Sequence, residues 1–536
     1  MIAPHAGREK YFLLVQIFFI LFFACLPLFT SLPYRVNIFL TWEGAYRLSI
    51  GQLPFRDFGM PLGYGFWLVP ALFFKLFGPT LYALLLAQAA INIVCLATFR
   101  GILKLFGVTA VPLLVSIVVM GLTYTMVHFW PWYNHTVFVF ELIGLYFLLS
   151  YLLKGQKTYL LLLSGFFIAL TFFTKQDAGG LAIMLVLVLL LADALIEKRI
   201  RPLLIFGGAY VCSLLLFIVP CLQYDFTYWF NYGQSPHFTR LNGYDFLTTF
   251  FEDSGWLKFY IIAVLVVCII RFKSLKAIVE DKVYFIFTLF TLGILVQALI
   301  IQVTSFSPPT TSYYYHSFAI AFLLYNLNSV IAFEKIWIAI AFVLFALIWQ
   351  SDSYFKYSMR IIGKHLPAFL SPPPPSVVSK NTWSSKADSV RGVPVQWALS
   401  KYKTMRGIKL PVETINGLEA VESLDVFNHA KKLTCLNLSN LTPLAYEWSY
   451  APQSGKTFPL WFHKGVAFFD RERDLLCNKV EQSEFDLILF EVMPDVDSFF
   501  PFEVRTCIQQ HYQLVNSFLA PTGYRSDYIE VYIRKK

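Results

Sequence analysis

Residues Leu62–Phe77 read LGYGFWLVPALFFKLF, and how this run is read sets the orientation of everything after it. At 16 residues it is shorter than the ~20 that a helix needs to cross a bilayer; it contains Pro70 and Lys75 and follows a Pro-Leu-Gly break at Pro61. Eleven other apolar runs are candidates to span: 11–30, 81–103, 109–127, 136–153, 159–174, 178–196, 203–223, 257–272, 283–301, 314–331 and 336–350. If Leu62–Phe77 lies in the interface or re-enters, then Arg8/Lys10, Arg100/Lys104, Lys154/Lys157, Lys198/Arg199/Arg201, Arg271/Lys273/Lys276/Lys282 and Lys335 fall on one side, as the positive-inside rule requires. If it spans, the first pair lands opposite nearly all the others. The expectation is therefore an α-helical polytopic membrane protein of about 11 transmembrane helices, with a long extracytoplasmic first loop over 31–80 and an external tail after Gln350.

Composition agrees with a chain that mostly faces lipid. Of 536 residues, 57% are hydrophobic, 18% aromatic and only 14% charged, and mean hydropathy is +0.60, against about 45–50% apolar and about 25% charged in a soluble domain. The net charge of +10 sits largely in short loops between apolar runs, so it reports topology and is no sign of nucleic-acid binding. The run Tyr11–Thr30 has no clear small-residue cleavage site and reads as a first span, not a removed signal.

The chain divides into a membrane region, 1–350, a Pro-rich linker, 351–379, and a soluble α/β domain, 380–536. LSPPPPSVVSK favours extended polyproline structure. Beyond it LTCLNLS, FDLILFEV and YIEVYIRK read as strands, and GLEAVESLDVFNHAKK and FEVRTCIQQHY as helices. QSGKT at 453–457 lacks the earlier glycine of a phosphate loop. NLS and NLT at 437–442 are glycosylation acceptor sequences if the tail meets a secretory lumen. Five cysteines (Cys25, Cys95, Cys212, Cys221, Cys268) fall in apolar segments; of the three in the tail, Cys477 and Cys507 are open to pairing in an oxidising compartment, with Cys435 left over.

Just before Leu62–Phe77 stands Thr41–Phe58, TWEGAYRLSIGQLPFRDF, unusually polar for this chain. Thr41 reads as an N-cap and Gly51, with Pro54 beyond, as a stop, giving a surface helix of two to three turns. Glu43, Tyr46, Arg47 and Ile50 then share one face, with Glu43 in the first turn. Glu43 is either a helix-start carboxylate paired with Arg47 or a functional acid, and Asp57 either a turn residue held by Arg56 or a second such acid.

The segments WEGAY, GQLPFRDF and PLGYGFWLVPALFFKLFG resemble the first external loop of the GT-C superfamily of membrane glycosyltransferases, particularly its aminoarabinose transferase and protein mannosyltransferase branches. The resemblance covers essentially residues 1–350. It implies a polyprenyl-phosphate sugar donor, a lipid, glycan or protein acceptor, and Glu43 as the catalytic base, with Asp57 second. It also implies cationic groups for the leaving phosphate. Lys175 in FFTKQDAGG is the first of these, its alternatives being a snorkelling lysine or a partner of Asp177. Arg56, His237 and Arg240 follow, with Tyr46, and with Tyr314 and His316 of SFSPPTTSYYYHSF, as further substrate contacts; those two also suit an interfacial aromatic belt. The chain departs from the family where HFWPWYNHT carries Asn134 and His135 in place of a second acid, and no ligand spacing around His128 and His135 supports a metal, so no cofactor is expected. A transporter or flippase of lipid-linked sugars is the alternative; it predicts internal repeats and charges near mid-span. The expected location is a bacterial inner membrane with a periplasmic tail.

Overall fold

The computed structural model describes residues 4–29, 36–127, 129–222, 225–230, 243–272, 280–305, 309–328, 330–331, 333, 335–362, 367, 370, 395–429, 433–456, 458–460, 462, 464, 466–494 and 502–535. The chain forms two compact units. One comprises Met1–Leu28, Gln88–Val219 and Thr239–Ile361; the other comprises Phe29–Ala87, Pro220–Phe238 and Ile362–Lys536.

The first unit is a bundle of apolar helices. Among the described residues six helical segments are long and apolar enough to cross a membrane: Lys10–Phe29, Leu81–Leu105, Tyr133–Leu153, Gln176–Glu197, Arg201–Cys221 and Lys282–Ser305. Gly243–Asp253 and Leu257–Arg271, bent by 88°, would make a seventh. Length and composition thus support six or seven spans where the sequence led to about eleven, because the other runs form helices of 10–17 residues, such as Ala110–Thr125, Thr158–Phe172 and Ile336–Trp349. Apolar helices of this length make the chain an integral membrane protein.

At the centre lies Ala110–Met120, whose residues from Val111 onward are all buried. It packs among Phe12, Leu324, Phe333, Ile338 and Ala346, as a helix that is apolar all round must. It runs into a π-helical turn, Gly121–Thr125, where the Thr123 and Thr125 hydroxyls donate to carbonyls four residues back. Thr158–Phe172 packs between Tyr133–Leu153 and Arg201–Ile218. Ser351–Ile362, expected to open the linker, is instead an amphipathic helix.

In the second unit, the loop helix Val36–Ser49 packs on Leu68–Phe77. Trp42 is fully buried, its Nε1–H donating to the Pro79 carbonyl at 3.3 Å. Gly44 allows the close approach: a Cβ there would lie 1.9 Å from Trp67 Cε2. The helix ends at Gly51, whose φ of +89° suits the left-handed region glycine favours. The expected start at Thr41 is wrong, because apolar Ile38 and Phe39 are buried and carry the helix back to Val36. Glu43 therefore lies beyond the first turn.

The tail holds strands β1 (Trp397–Leu399), β2 (Lys409–Pro411), β3 (Cys435–Leu438), β4 (Leu487–Val492), β5 (Tyr512–Leu519) and β6 (Tyr528–Arg534). β1 and β2 form an antiparallel pair, and the main sheet runs β3-β4-β6-β5. β3 is parallel to β4, with Cys435 opposite Leu487; β6 pairs antiparallel with both neighbours, with an irregularity at Leu514/Asn516. The helices Phe469–Glu481 and Phe502–His511 cover one face through Leu476, Val480, Val504 and Ile508. A Cys477–Cys507 disulfide joins them. The expected strands appear as β3, β4 and β6; β1, β2, β5 and the helix Phe469–Glu481 were not foreseen.

Candidate active site

The second unit gathers the polar first loop against part of the tail. Arg47 is 3% exposed, and its Nε and Nη2 donate to Glu43 Oε1 at 2.9 and 2.7 Å. Its Nη1 donates to Gln52 Oε1 at 2.9 Å and, across 406 residues, to the Gln453 carbonyl at 2.7 Å. The i, i+4 pairing expected of Glu43 and Arg47 is thus present. Glu43 Oε2 accepts no hydrogen bond among the described residues, and the side chain keeps 16% exposure. Tyr46 stacks on Trp42 at 4.8 Å and meets the edge of Tyr446 at 6.2 Å. Burial, then the Tyr446 phenol, push the Tyr46 phenol above its ordinary range.

Asp57 closes the turn after the helix. Its Oδ2 accepts from the Leu53 N–H at 2.7 Å and from Arg56 Nε at 2.8 Å. Burial alone would raise its carboxyl, but these donors and the charges of Arg56 and Arg47 hold it below the usual range. Arg56 also donates to the Gly51 carbonyl.

A strap of tail residues, 452–456 and 458–460, runs along this loop. Gly455 N–H donates to the Asp57 carbonyl, Gly59 N–H to the Phe458 carbonyl, and Leu460 N–H to the Gly59 carbonyl. Gln52 Nε2 adds a bond to the Pro452 carbonyl at 3.2 Å. Nearby in the same unit, the Tyr228 hydroxyl donates to buried Glu472, and Arg471 pairs with Asp225 at 2.9 Å.

The first unit holds the other candidates. Lys175, 7% exposed, stands at the residue before Gln176–Glu197; its Nζ donates to Asp177 Oδ2 at 3.0 Å and to Ser305 Oγ at 2.6 Å. Thr304 Oγ1 donates to the same Asp177 oxygen, and the Tyr133 ring lies 5.9 Å from the ammonium. Tyr314 packs edge-on to Tyr124 at 5.5 Å, and the Tyr124 hydroxyl donates to the His135 carbonyl. His316 rests 5.0 Å from both the Tyr260 and Tyr313 rings. Tyr314 and His316 are 2% and 3% exposed, so these two are buried within the unit. His237, Arg240 and His128 lie outside the described residues. Among the described residues no group of three or more His, Cys, Asp or Glu side chains could hold a metal ion.

Within the apolar helices of the first unit, sequence reasoning passed over the buried carboxylates Glu141 and Asp193. Glu141 is 1% exposed within Tyr133–Leu153. Asp193, fully buried, pairs with Lys282 at 2.6 Å and Arg199 at 3.3 Å. Both interrupt apolar runs, a signal visible in the sequence.

The chain thus holds an apolar helical bundle in one unit and a loop helix with a small α/β tail in the other. Among solved structures the chain is similar to ArnT from Cupriavidus metallidurans in the apo state, with TM-score 0.50 and 10% identity, covering 99% of this chain and 98% of that one. ArnT bound to undecaprenyl phosphate gives TM-score 0.44 at 11% identity over 98% of each chain. The arabinofuranosyltransferase AftD from Mycobacteria gives 0.46 at 14% identity, covering 98% of this chain and 40% of that one. At such identities the likeness is one of fold. No protein-family model and no curated protein sequence matches the chain.

Proposed function

We propose that the chain is an integral-membrane glycosyltransferase that moves a sugar from a polyprenyl-phosphate donor to a lipid, glycan or protein acceptor on the extracytoplasmic side. The observation that carries this reading is the likeness of fold to ArnT across 99% of the chain, tail included. Fold alone does not define chemistry, so the residues must supply it.

Glu43 has what a general base requires: one oxygen anchored by Arg47, the other without a partner among the described residues. In the proposed step Glu43 takes the proton of an acceptor hydroxyl as that oxygen bonds to the anomeric carbon. The bond from that carbon to the phosphate breaks, and polyprenyl phosphate leaves; attack opposite the leaving group inverts the configuration. Lys175, with Arg56 second, is the cation proposed for the phosphate, and Tyr46 a ring for the sugar. Tyr314 and His316 are proposed as further substrate contacts. Asp57 is already committed to Leu53 and Arg56, which favours Glu43 over it as the base.

For topology we propose about eleven spans, which requires the shorter apolar helices of 10–17 residues to cross as well, with the tail outside, in a bacterial inner membrane. The Cys477–Cys507 bond supports an oxidising compartment for the tail.

The test is transfer by purified protein from defined polyprenyl-phosphate sugars, with product read by mass spectrometry. Glu43→Gln is expected to lower kcat by about 100- to 10,000-fold. Full transfer by that variant would remove Glu43 from the mechanism, and movement of lipid-linked sugar across liposomes without transfer would favour the flippase.

A further inference from the structure

We propose that Arg47 is a positioning residue for Glu43 and that the tail strap, residues 452–456 and 458–460, holds Arg47 in place, so that the soluble tail is a working part of the site. This rests on the reading of Glu43 as the base.

Four observations within one unit converge. Arg47 is almost fully enclosed and donates four hydrogen bonds: two to one Glu43 oxygen, one to Gln52 and one to the Gln453 carbonyl. A planar guanidinium with donors fixed on three sides cannot rotate without breaking bonds, so the Glu43 carboxylate cannot either. Gln52 bridges the two parts, accepting from Arg47 and donating to the Pro452 carbonyl. Three main-chain bonds then pin the strap to Asp57 and Gly59 of the loop. Both Arg47 bonds fall on Oε1, which fixes the direction of Oε2, the oxygen left for an acceptor proton.

A surface ion pair would ask for none of this. An i, i+4 pair on an exposed helix needs only water around it. Here the arginine is buried and tied to a strand of chain more than 400 residues away, as expected of a group that must hold one orientation.

The experiment measures transfer kinetics for Arg47→Lys, Gln52→Ala, Glu43→Gln and the double variants of each of the first two with Glu43→Gln, alongside thermal melting of each. Lysine keeps the charge but cannot make the forked contacts. Arg47→Lys is expected to lower kcat by about 100-fold with KM within about threefold, the loss typical of a misplaced reacting group. Gln52→Ala loosens Arg47 without removing it, should fold if Arg47→Lys does not, and is expected to lower kcat by about tenfold. In the Glu43→Gln background neither change should lower the residual rate further, because a residue acting through Glu43 has nothing left to position. Losses that multiply in the double variants, or that appear in KM alone, overturn the proposal. Full activity of Glu43→Gln by itself would instead sink the base assignment, a separate and recognisable outcome.

Discussion

Glu472 is fully buried beside the Tyr228 hydroxyl, and burial pushes its carboxyl up to about 9. In the unfolded chain the same group titrates near ~4.3. Its folded form therefore holds a proton that the unfolded form releases: the stability it contributes is complete below pH ~4.3 and is lost as pH rises toward about 9. Glu472→Gln keeps an acceptor for Tyr228 and cannot ionise. Thermal melting of the wild type is expected to fall from pH 5 to pH 9 by more than that of the variant, with a limiting slope of about 1.4 kcal/mol per pH unit. Equal slopes for both proteins would show that Glu472 is ionised in the folded state. The same scale explains the two acids of the first loop. Asp57 is consumed by its own turn, whereas Glu43 is held by only one oxygen. Composition could not separate them, since both sit one helical turn or less from an arginine.

At the scale of elements, the loop helix depends on a single missing side chain. Alanine is the better helix former by about 1 kcal/mol, so on propensity alone Gly44→Ala should stabilise. The buried Trp67 indole, 1.9 Å from the new Cβ, cannot yield without disturbing Leu68–Phe77, and overpacking of this kind costs about 1–3 kcal/mol. The clash is expected to win, lowering the melting temperature and altering tryptophan fluorescence; a more stable variant would show that the two helices part easily. Much at this scale was legible. Apolar runs located the helices, because burial among helices leaves long uninterrupted stretches, and Gly51 marked a true stop. The cap at Thr41 was not legible, because Ile38 and Phe39 bury against the unit and extend the helix where local propensity is neutral. The strap left no trace either: main-chain bonds to Asp57 and Gly59 use no side chains and impose no period. Glu141 was visible as an acid within an apolar run; only its enclosure required the structure.

For the whole molecule, the covalent link between Phe469–Glu481 and Phe502–His511 closes a loop of 30 residues. By chain entropy a bond of that span is worth about 3–4 kcal/mol. Replacing both Cys477 and Cys507 with serine is expected to destabilise the tail by roughly that amount. Peptide mass spectrometry of wild-type protein isolated without reductant should recover the two linked. Recovery of both as free thiols would place the tail in a reducing compartment and reverse the proposed topology. The tail's acceptor sequences carry a related point. Asn437 is engaged with Leu441 and Tyr450 and Asn440 is 7% exposed, so both belong to the fold and neither offers its amide to solvent.

The strap also dictates an order of assembly. Glu43 leaves the ribosome 410 residues ahead of Gln453, which completes the cage around Arg47. Until then the loop helix lacks its last wall. A chain that stops short of Gln453 thus carries the proposed base in an unfinished setting, and the proposed sugar transfer becomes available only once the strap has been made and folded.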